Sequence, residues 1–408
     1  MPVRPLYDPS RFADTTVSNQ PLSCVSCGLH KEVLTPRMPP FGDGKKGIML
    51  IGEGPGETED RRGKPFQGKT GNALKAALAD LGIDLFKDCV SVNAVNCRPP
   101  NNRGPSPHEM ACCRKIIVNP AILKHMPKLI ILLGGSAVTS VIGGLLPDAV
   151  GDAISRWRGF QIPIPNWHAW LCSTFHPSYI LREEHKPEIE TVWLDDLKQA
   201  IKLLDVPVPD AENLRDRITI LKGEEAILRA LQRAKVRKGL FSFDYECTGL
   251  RASLHTIICA SFCQSPDKAY AFMMNGSDAV KQAWRDILVD PEIGKISHNL
   301  AFEYEWSRHH FELDEMNWAW DSMLAAHVLD NRAGICGLKH QAFLNFGIPA
   351  YDDQISSFLK STDDRDPAAL NRISQFIERH GEDELLYYNG IDSLVAYRLA
   401  LKQMREIQ

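Results

Sequence analysis

The stretch GIMLIGEGPGETED, residues 47–60, decides the fold of the first half of the chain. Its apolar run reads as a buried strand that passes directly into a glycine-rich turn. GNALKAALADLGI (71–83) follows with helical periodicity. Further apolar strands are read at VSVNAVN (90–96), KLIILLGG (128–135) and AWLCSTF (169–175), with helices between them. Strands alternating with helices specify a parallel sheet covered on both faces, so this half is expected to be a doubly wound α/β domain.

The order changes after LLDVPVPDAENLRDR (203–217), a polar, proline-bearing seam with little apolar periodicity, as a linker has. ITIL (218–221) precedes the helical GEEAILRALQRAKVR (223–237). Three strand candidates then come in succession, GLFSFDYEC (239–247), TIICASFC (256–263) and AYAFMM (269–274), and helices fill the rest. This predicts an α+β domain with a mixed sheet. No internal repeat relates the halves. The expected organisation is one domain over 20–203, a linker over 204–214 and a second domain over 215–408.

The 408 residues fit two or three domains, and 44% hydrophobic with 24% charged residues fits a globular chain. The net charge of −4 gives no global basic signature, so nucleic-acid binding requires local basic patches. There is no long uncharged apolar run, and MPVRPLYDPSRFADTT lacks the apolar core of a secretory signal. The expectation is no membrane partner and a cytoplasmic location, the host cytoplasm if the source is viral. In a reducing compartment the 11 cysteines are free thiols or metal ligands rather than disulfides.

Cys24 and Cys27 form a CxxC, and Cys97 and Cys113 flank CRPPNNRGPSPHEMACC. Four thiolates suit zinc or an iron–sulfur cluster, and the wide second spacing favours the cluster; a chance CxxC with buried thiols is the alternative. Glu53 lies in the glycine turn at the carboxyl end of a strand, where α/β folds bind ligands. Phe66, in GKPFQGKTG, serves either packing or stacking. His176, in FHPSYILR (175–182), is either a core histidine or one facing a reacting group.

The motifs GEGPGETEDRRGKPFQGKTGNAL (52–74), NAVNCRPPNNRGPSPHE (93–109), LLGGSAV (132–138) and STFHPSYILR (173–182) occur in this order. Together they resemble the family 4 uracil-DNA glycosylases, which carry a [4Fe–4S] cluster, over roughly residues 20–203. The resemblance implies Cys24, Cys27, Cys97 and Cys113 as cluster ligands, with Cys113 rather than Cys112 having the family spacing. It implies Glu53 as the acid of the first motif, Phe66 as the ring that stacks on uracil, Asn93 as the reader of the uracil edge and His176 as the catalytic histidine. A glycosylase must first take the base out of the duplex. An amide donates and accepts, so Asn93 can distinguish uracil from cytosine. His176 can donate to the oxygen of the departing uracil anion. Arg98, Arg103 and Lys69 lie in flanking loops, either as phosphate contacts or as solvated charge. Gly54 stands where the family usually has alanine, which is expected to loosen the turn; Gln67 and Thr70 are more polar than usual.

In the second half, Asp244 and Glu246 sit two apart in a strand and share a face; a solvent-facing edge strand is the other reading. Asn299 and Glu303, and Tyr388 and Asp392, are spaced four apart on helical patterns. Converging acids suit a two-metal site for phosphoryl transfer. FDYECTGL (243–250), SHNLAFEYEW (297–306) and YYNGID (387–392) resemble the three motifs of the DEDDy 3′–5′ exonuclease domain of family-A DNA polymerases, a ribonuclease H-like α+β fold. WDSMLAAHVLDNRAGICGLKHQA (320–342), with Asp321, Leu338 and Lys339, resembles the segment between the last two motifs. The resemblance implies Asp244, Glu246, Glu303 and Asp392 as ligands of two Mg²⁺ or Mn²⁺, Asn299 as a substrate contact and Tyr388 as the residue that orients water. Glu303 departs from the usual Asp, lengthening the arm by one methylene.

The expectation is that no polymerase palm or fingers follow the third motif. The expected partners are DNA, as a single strand or primer terminus, and a separate family-A-type polymerase polypeptide in a compact phage or viral replication system. The expected function is uracil excision joined to 3′–5′ proofreading. The alternative is a proofreading subunit whose glycosylase-like domain only binds DNA or senses uracil.

Overall fold

The computed structural model describes residues 24–146, 154–183, 186–274, 276–363, 366 and 368–407. The N-terminal stretch read above as lacking a signal sequence lies outside them. The described residues divide into two compact units: those of 24–211 together with 343–350, and those of 212–342 together with 351–407. Among the described residues, no helix is long and apolar enough to cross a membrane.

The first unit is built on β1 (Ile48–Gly52), β2 (Cys89–Asn93), β3 (Leu129–Leu133), β4 (Gln161–Ile164) and β5 (Ala169–Thr174), in the sheet order β2-β1-β3-β5-β4. Four strands are parallel. The fifth, β4, was not anticipated and pairs antiparallel with β5 at the edge. The apolar runs are fully buried because both sheet faces are covered, and alternate residues serve alternate faces. Met49, Ile51, Val90, Val92, Ile130 and Leu132 enter one core cluster. Ile48, Leu50, Cys89, Leu129, Ile131 and Leu133 enter the other. The neighbours β2 and β3 lie on opposite sides of β1. The loops leaving the carboxyl ends of these strands therefore diverge and open a crevice there.

The second unit is a six-stranded mixed sheet: β6 (Ile218–Ile220), β7 (Gly239–Cys247), β8 (Ile257–Cys263), β9 (Ala269–Met273), β10 (Ile293–Ser297) and β11 (Trp318–Asp321), in the order β11-β10-β7-β8-β9-β6. β7, β8 and β9 form an antiparallel meander, while β10 lies parallel to β7. β7 is thus interior, which excludes the edge-strand reading of its acids. Its residues alternate: Phe241, Phe243 and Tyr245 pack in an aromatic core around the fully buried Trp284. Ser242 and Asp244 instead bond the long helix Glu382–Ile407 on the other face, through Ser393 and Asn389. That helix lies close on the sheet because a Cβ at Gly390 would come within 2.5 Å of Ile218.

Candidate active sites

In the first unit, the strand ends bring Glu53, Phe66, Asn93 and His176 to one cleft of about 500 Å³. Glu53 follows β1, Asn93 ends β2 and His176 follows β5. Gly52 and Asn93 are register partners. A Cβ on Gly52 would lie 2.5 Å from Asn93 Oδ1 and 2.9 Å from Phe66 Cζ. The glycine therefore lets the Phe66 ring and the Asn93 amide share one corner of the cleft. Phe66 itself holds a left-handed backbone, φ 54°, which a bulky residue adopts only under local constraint. Glu59 supplies that constraint. One of its carboxylate oxygens accepts from Gln67 N at 2.9 Å and Gly68 N at 2.8 Å, and the other accepts from Gly56 N at 3.2 Å. Gly71 permits the same turn, since a Cβ there would meet the Phe66 carbonyl.

His176 has a defined tautomer. Its Nδ1 accepts from the backbone N–H of Ser178 at 3.2 Å and lies 2.7 Å from Ser178 Oγ. Arg182 donates to the same Oγ, at 3.3 Å, so the serine hydroxyl is free to turn its own proton to Nδ1. The neutral ring then carries its proton on Nε2. Burial holds the His176 pKa below its ordinary value; Glu53 pulls it the other way and Arg182 reinforces the lowering. The ring is seated against Gly134, where a Cβ would stand 2.8 Å from the His176 Cβ. Glu53 Oε2 accepts a hydrogen bond from Ser136 Oγ at 2.8 Å.

The basic side chains of this region differ in their engagement. Arg103 is held by both oxygens of Glu109, at 2.7 and 2.9 Å. Arg98 donates to Asn102 at 2.7 Å and lies 3.8 Å from Glu57. Lys69 is exposed and lines the cleft. Gly54 does not loosen its turn: a Cβ there would lie 2.9 Å from Val95 Cγ2, so the buried valine fills the space that an alanine methyl would take.

Beside the cleft, Cys27, Cys97 and Cys113 share one small apolar cluster. Arg37 N donates to Cys97 Sγ at 3.2 Å and Asn96 N to Cys113 Sγ at 3.4 Å. Burial, joined by charge on Cys27, Cys97 and Cys24 and opposed by the Asn96 N–H, pushes the Cys113 thiol up to about 12. Four thiols within electrostatic reach, two of them met by backbone N–H donors, fit a cation-rich soft centre that would reverse this penalty. Cys112 turns instead to His108 Nε2, 3.7 Å away.

In the second unit, Asp244, Glu246 and Asp392 place carboxylate oxygens within 4.8 Å of one another. Burial, then Asp392, raises the Asp244 pKa; burial, then Asp244, raises that of Glu246. Such a group is costly unless a cation joins it, so the donor set fits hard divalent ions. Glu303 stands outside this trio. It is buried, its Oε2 has no partner among the described residues, and burial followed by Asp244 raises its pKa. Asp392 is held by Lys339 and by the hydroxyl of Tyr351. The Lys339 ammonium also lies over the rings of Tyr351 and Tyr388, 4.3 and 4.4 Å from their centroids. Burial raises the Tyr388 pKa, as does Asp392, which keeps its hydroxyl protonated. Asn299 is exposed and starts the helix Leu300–Phe311 with a left-handed backbone. Asp321 has a structural role: its carboxylate accepts from Asn299, Leu300, Met323 and Leu324 backbone N–H groups, fixing the starts of two helices.

Residues 39–198 match the family model of the uracil DNA glycosylase superfamily, and residues 217–399 match a 3′–5′ exonuclease model. A type-4 uracil-DNA glycosylase of Thermotoga maritima is 35% identical over 189 residues, which span 91% of that enzyme and 45% of this chain. The chain belongs to the type-4 uracil-DNA glycosylase family. Unlike that relative, this family member continues into a second unit, and both halves match hydrolase families. A DNA polymerase of Bacillus phage SP01 is 23% identical over 345 residues, 77% of this chain and 36% of the polymerase, a share larger than either family match alone. Among solved structures, the Aedes aegypti Nibbler EXO domain aligns at 12% identity with a TM-score of 0.35, over 47% of this chain and 91% of that domain. The expected fold class is the one found as far as a uracil-DNA glycosylase fold followed by a mixed-sheet unit that matches a 3′–5′ exonuclease model.

Sequence reasoning missed Ser136, Glu59, Tyr351 and Asn389 at the two sites. Ser136 lies 83 residues from the Glu53 it bonds, and Tyr351 lies 41 residues from Asp392. Neither spacing carries a periodic signal. Glu59 had a local one, an acid three residues after Gly56 in a glycine-rich turn.

Proposed function

We propose that the chain excises uracil from DNA through residues 20–203 and degrades DNA from its 3′ end through residues 215–408, with 204–214 joining the two. The observation that carries the first part is the shared cleft of Glu53, Phe66, Asn93 and a His176 whose Nε2 bears the proton. A flipped uracil stacks on Phe66 and presents its edge to the Asn93 amide. As the bond from C1′ to N1 breaks, the electron pair moves onto the ring. His176 Nε2–H donates to the oxygen that becomes anionic, a neutral donor stabilising developing charge. Glu53, steadied through one oxygen by Ser136, polarises the water that adds to C1′. Arg98, Arg103 and Lys69 flank the cleft, and Lys69 is the one of the three with no intrachain partner among the described residues, so it is the phosphate contact we favour. Cys24, Cys27, Cys97 and Cys113 would hold a [4Fe–4S] cluster, which supplies a rigid cross-link between the chain entry and the 97–113 loop.

In the second unit, Asp244, Glu246 and Asp392, joined by Glu303, would hold two Mg²⁺ or Mn²⁺. Bound there, these ions supply the positive charge that in-line phosphodiester displacement requires. The protonated Tyr388 hydroxyl orients the attacking water, and Asn299, exposed at a helix start, meets the terminal nucleotide. The likeness to a phage polymerase over much of this chain supports action beside a family-A-type polymerase in phage-like replication. The free cysteines and the thiol cluster suit the reducing cytoplasm.

The test uses the intact protein, its cluster verified by absorbance, on a uracil-containing single strand blocked at its 3′ end. EDTA silences the metal site and alkali reveals abasic positions. Cleavage at uracil is the expected result. Binding of uracil-DNA without cleavage would make the first unit a sensing or docking module on a nuclease.

A further inference from the structure

The three-acid group in the second unit has a neutral companion inside the third motif, YYNGID (387–392), to which the motif reading gave no role. Asn389 lies on the helix Glu382–Ile407, three residues before Asp392, and is fully buried. Its Nδ2 donates to Asp244 Oδ2 at 2.7 Å. Its backbone carbonyl accepts from Ser261 Oγ on β8 at 2.8 Å, which ties this turn of the helix to the sheet. The amide oxygen, also buried, has no partner among the described residues. Two elements are thus fixed to each other at the point where the acids meet.

We propose that Asn389 is a positioning residue for the metal ligand Asp244. This rests on the reading of the second unit as a metal-dependent exonuclease. The chemistry favours an amide at this place. With three carboxylates already within 4.8 Å and the Lys339 ammonium already on Asp392, a fourth acid would add repulsion, and a second ammonium would compete further with a divalent ion for them. An amide N–H engages one Asp244 oxygen without adding charge and leaves the other for a cation. It also fixes the carboxylate plane, the task of groups that stand behind metal ligands. The fixed orientation, set by a bond between residues 145 apart in sequence, lowers the conformational cost of assembling ligands from β7 and from the helix.

The test measures Mn²⁺ binding to the full chain by titration calorimetry and by loss of the free-ion EPR signal, alongside 3′–5′ degradation of a single strand. Asn389→Leu removes the donor at nearly constant volume, and Asn389→Ala removes it without any risk of overpacking. Either variant is expected to weaken Mn²⁺ binding by about 10-fold or more, the range for such outer partners. The Mn²⁺ concentration for half-maximal degradation should rise by the same factor, and the rate at saturating Mn²⁺ should recover most of its value. A folded variant, judged by its melting curve, that binds Mn²⁺ as the parent does would overturn the proposal. Parent protein that binds Mn²⁺ without degrading DNA would remove the exonuclease reading, while the change in Mn²⁺ affinity still decides the role of Asn389. Parent protein that binds no Mn²⁺ would remove both.

Discussion

Gly52→Ala tests the geometry of the glycosylase cleft more directly than removal of any reactive group. The added methyl would sit 2.5 Å from Asn93 Oδ1 and 2.9 Å from Phe66 Cζ. Ordinary contact lies near 3.5 Å, so the amide must retreat by roughly 1 Å and the ring by about half an ångström. Neither has an easy escape. Asn93 is buried and register-paired with Gly52, and Phe66 is fixed by the Glu59 clamp on its loop. Overpacking of this kind costs about 1–3 kcal/mol of stability. Displacement of positioning groups by 1 Å costs on the order of 10²-fold in rate. The assay is uracil release from a 3′-blocked single strand in EDTA, with a melting curve for the same preparation. The expected result is a loss near 10²-fold in kcat/KM with a modest fall in Tm. A folded Gly52→Ala protein that releases uracil within a few-fold of the parent would show that Phe66 and Asn93 do not act together in this corner.

Four further outcomes are expected. His176→Ala should lower uracil release by about 10²–10³-fold, as loss of one anion-stabilising donor does, with the cluster absorbance unchanged. Because burial lowers the His176 pKa, its neutral form persists below pH 6.5. Release should therefore stay flat from pH 8 through 6.5 and fall only at the lower pH where the folded ring takes up its proton. The unfolded chain takes up this proton first as pH falls, so stability also declines below 6.5, measurable as Tm against pH. Asp244→Ala should abolish degradation in Mg²⁺ or Mn²⁺ and leave uracil release intact; surviving degradation would reject the metal-site assignment. The raised pKa values of Asp244, Glu246 and Glu303 mean that the folded state holds protons the unfolded state has released. In EDTA, their stabilisation is therefore present at acid pH and lost as pH rises past the ordinary carboxylate range. Mn²⁺ should reverse that loss, adding about 2.7 kcal/mol at 100 times its Kd, and Asp244→Ala should show no such gain.

The legible parts of this protein were those with a local signature. The strand at 48–52 announced itself by an apolar run ending in glycines, and the helix carrying Tyr388 and Asp392 by its period. The acids of β7 were readable as a pair because alternation puts residues 244 and 246 on one face. β4, β10 and β11 were not read as strands. They are short, and their pairing is supplied by partners distant in the chain. Gly54 was misread because the residue that fills its missing methyl is Val95, on a different strand's loop.

The sequence by itself determined which chemical groups are present and which elements carry them. Composition, period and spacing act over a few residues, so they fix the strands, the glycine turns, the thiols and the acids. Only the tertiary structure decided how those groups are held. Ser136 on Glu53, the Ser178 N–H that sets the His176 tautomer, the Glu59 clamp behind Phe66, and Tyr351, Lys339 and Asn389 around the acids are hydrogen bonds of fixed direction. A hydrogen bond depends on ångström-scale position and angle. Except where its partners are neighbours in the chain, that position is set by how sheet and helix pack, and no local pattern encodes it.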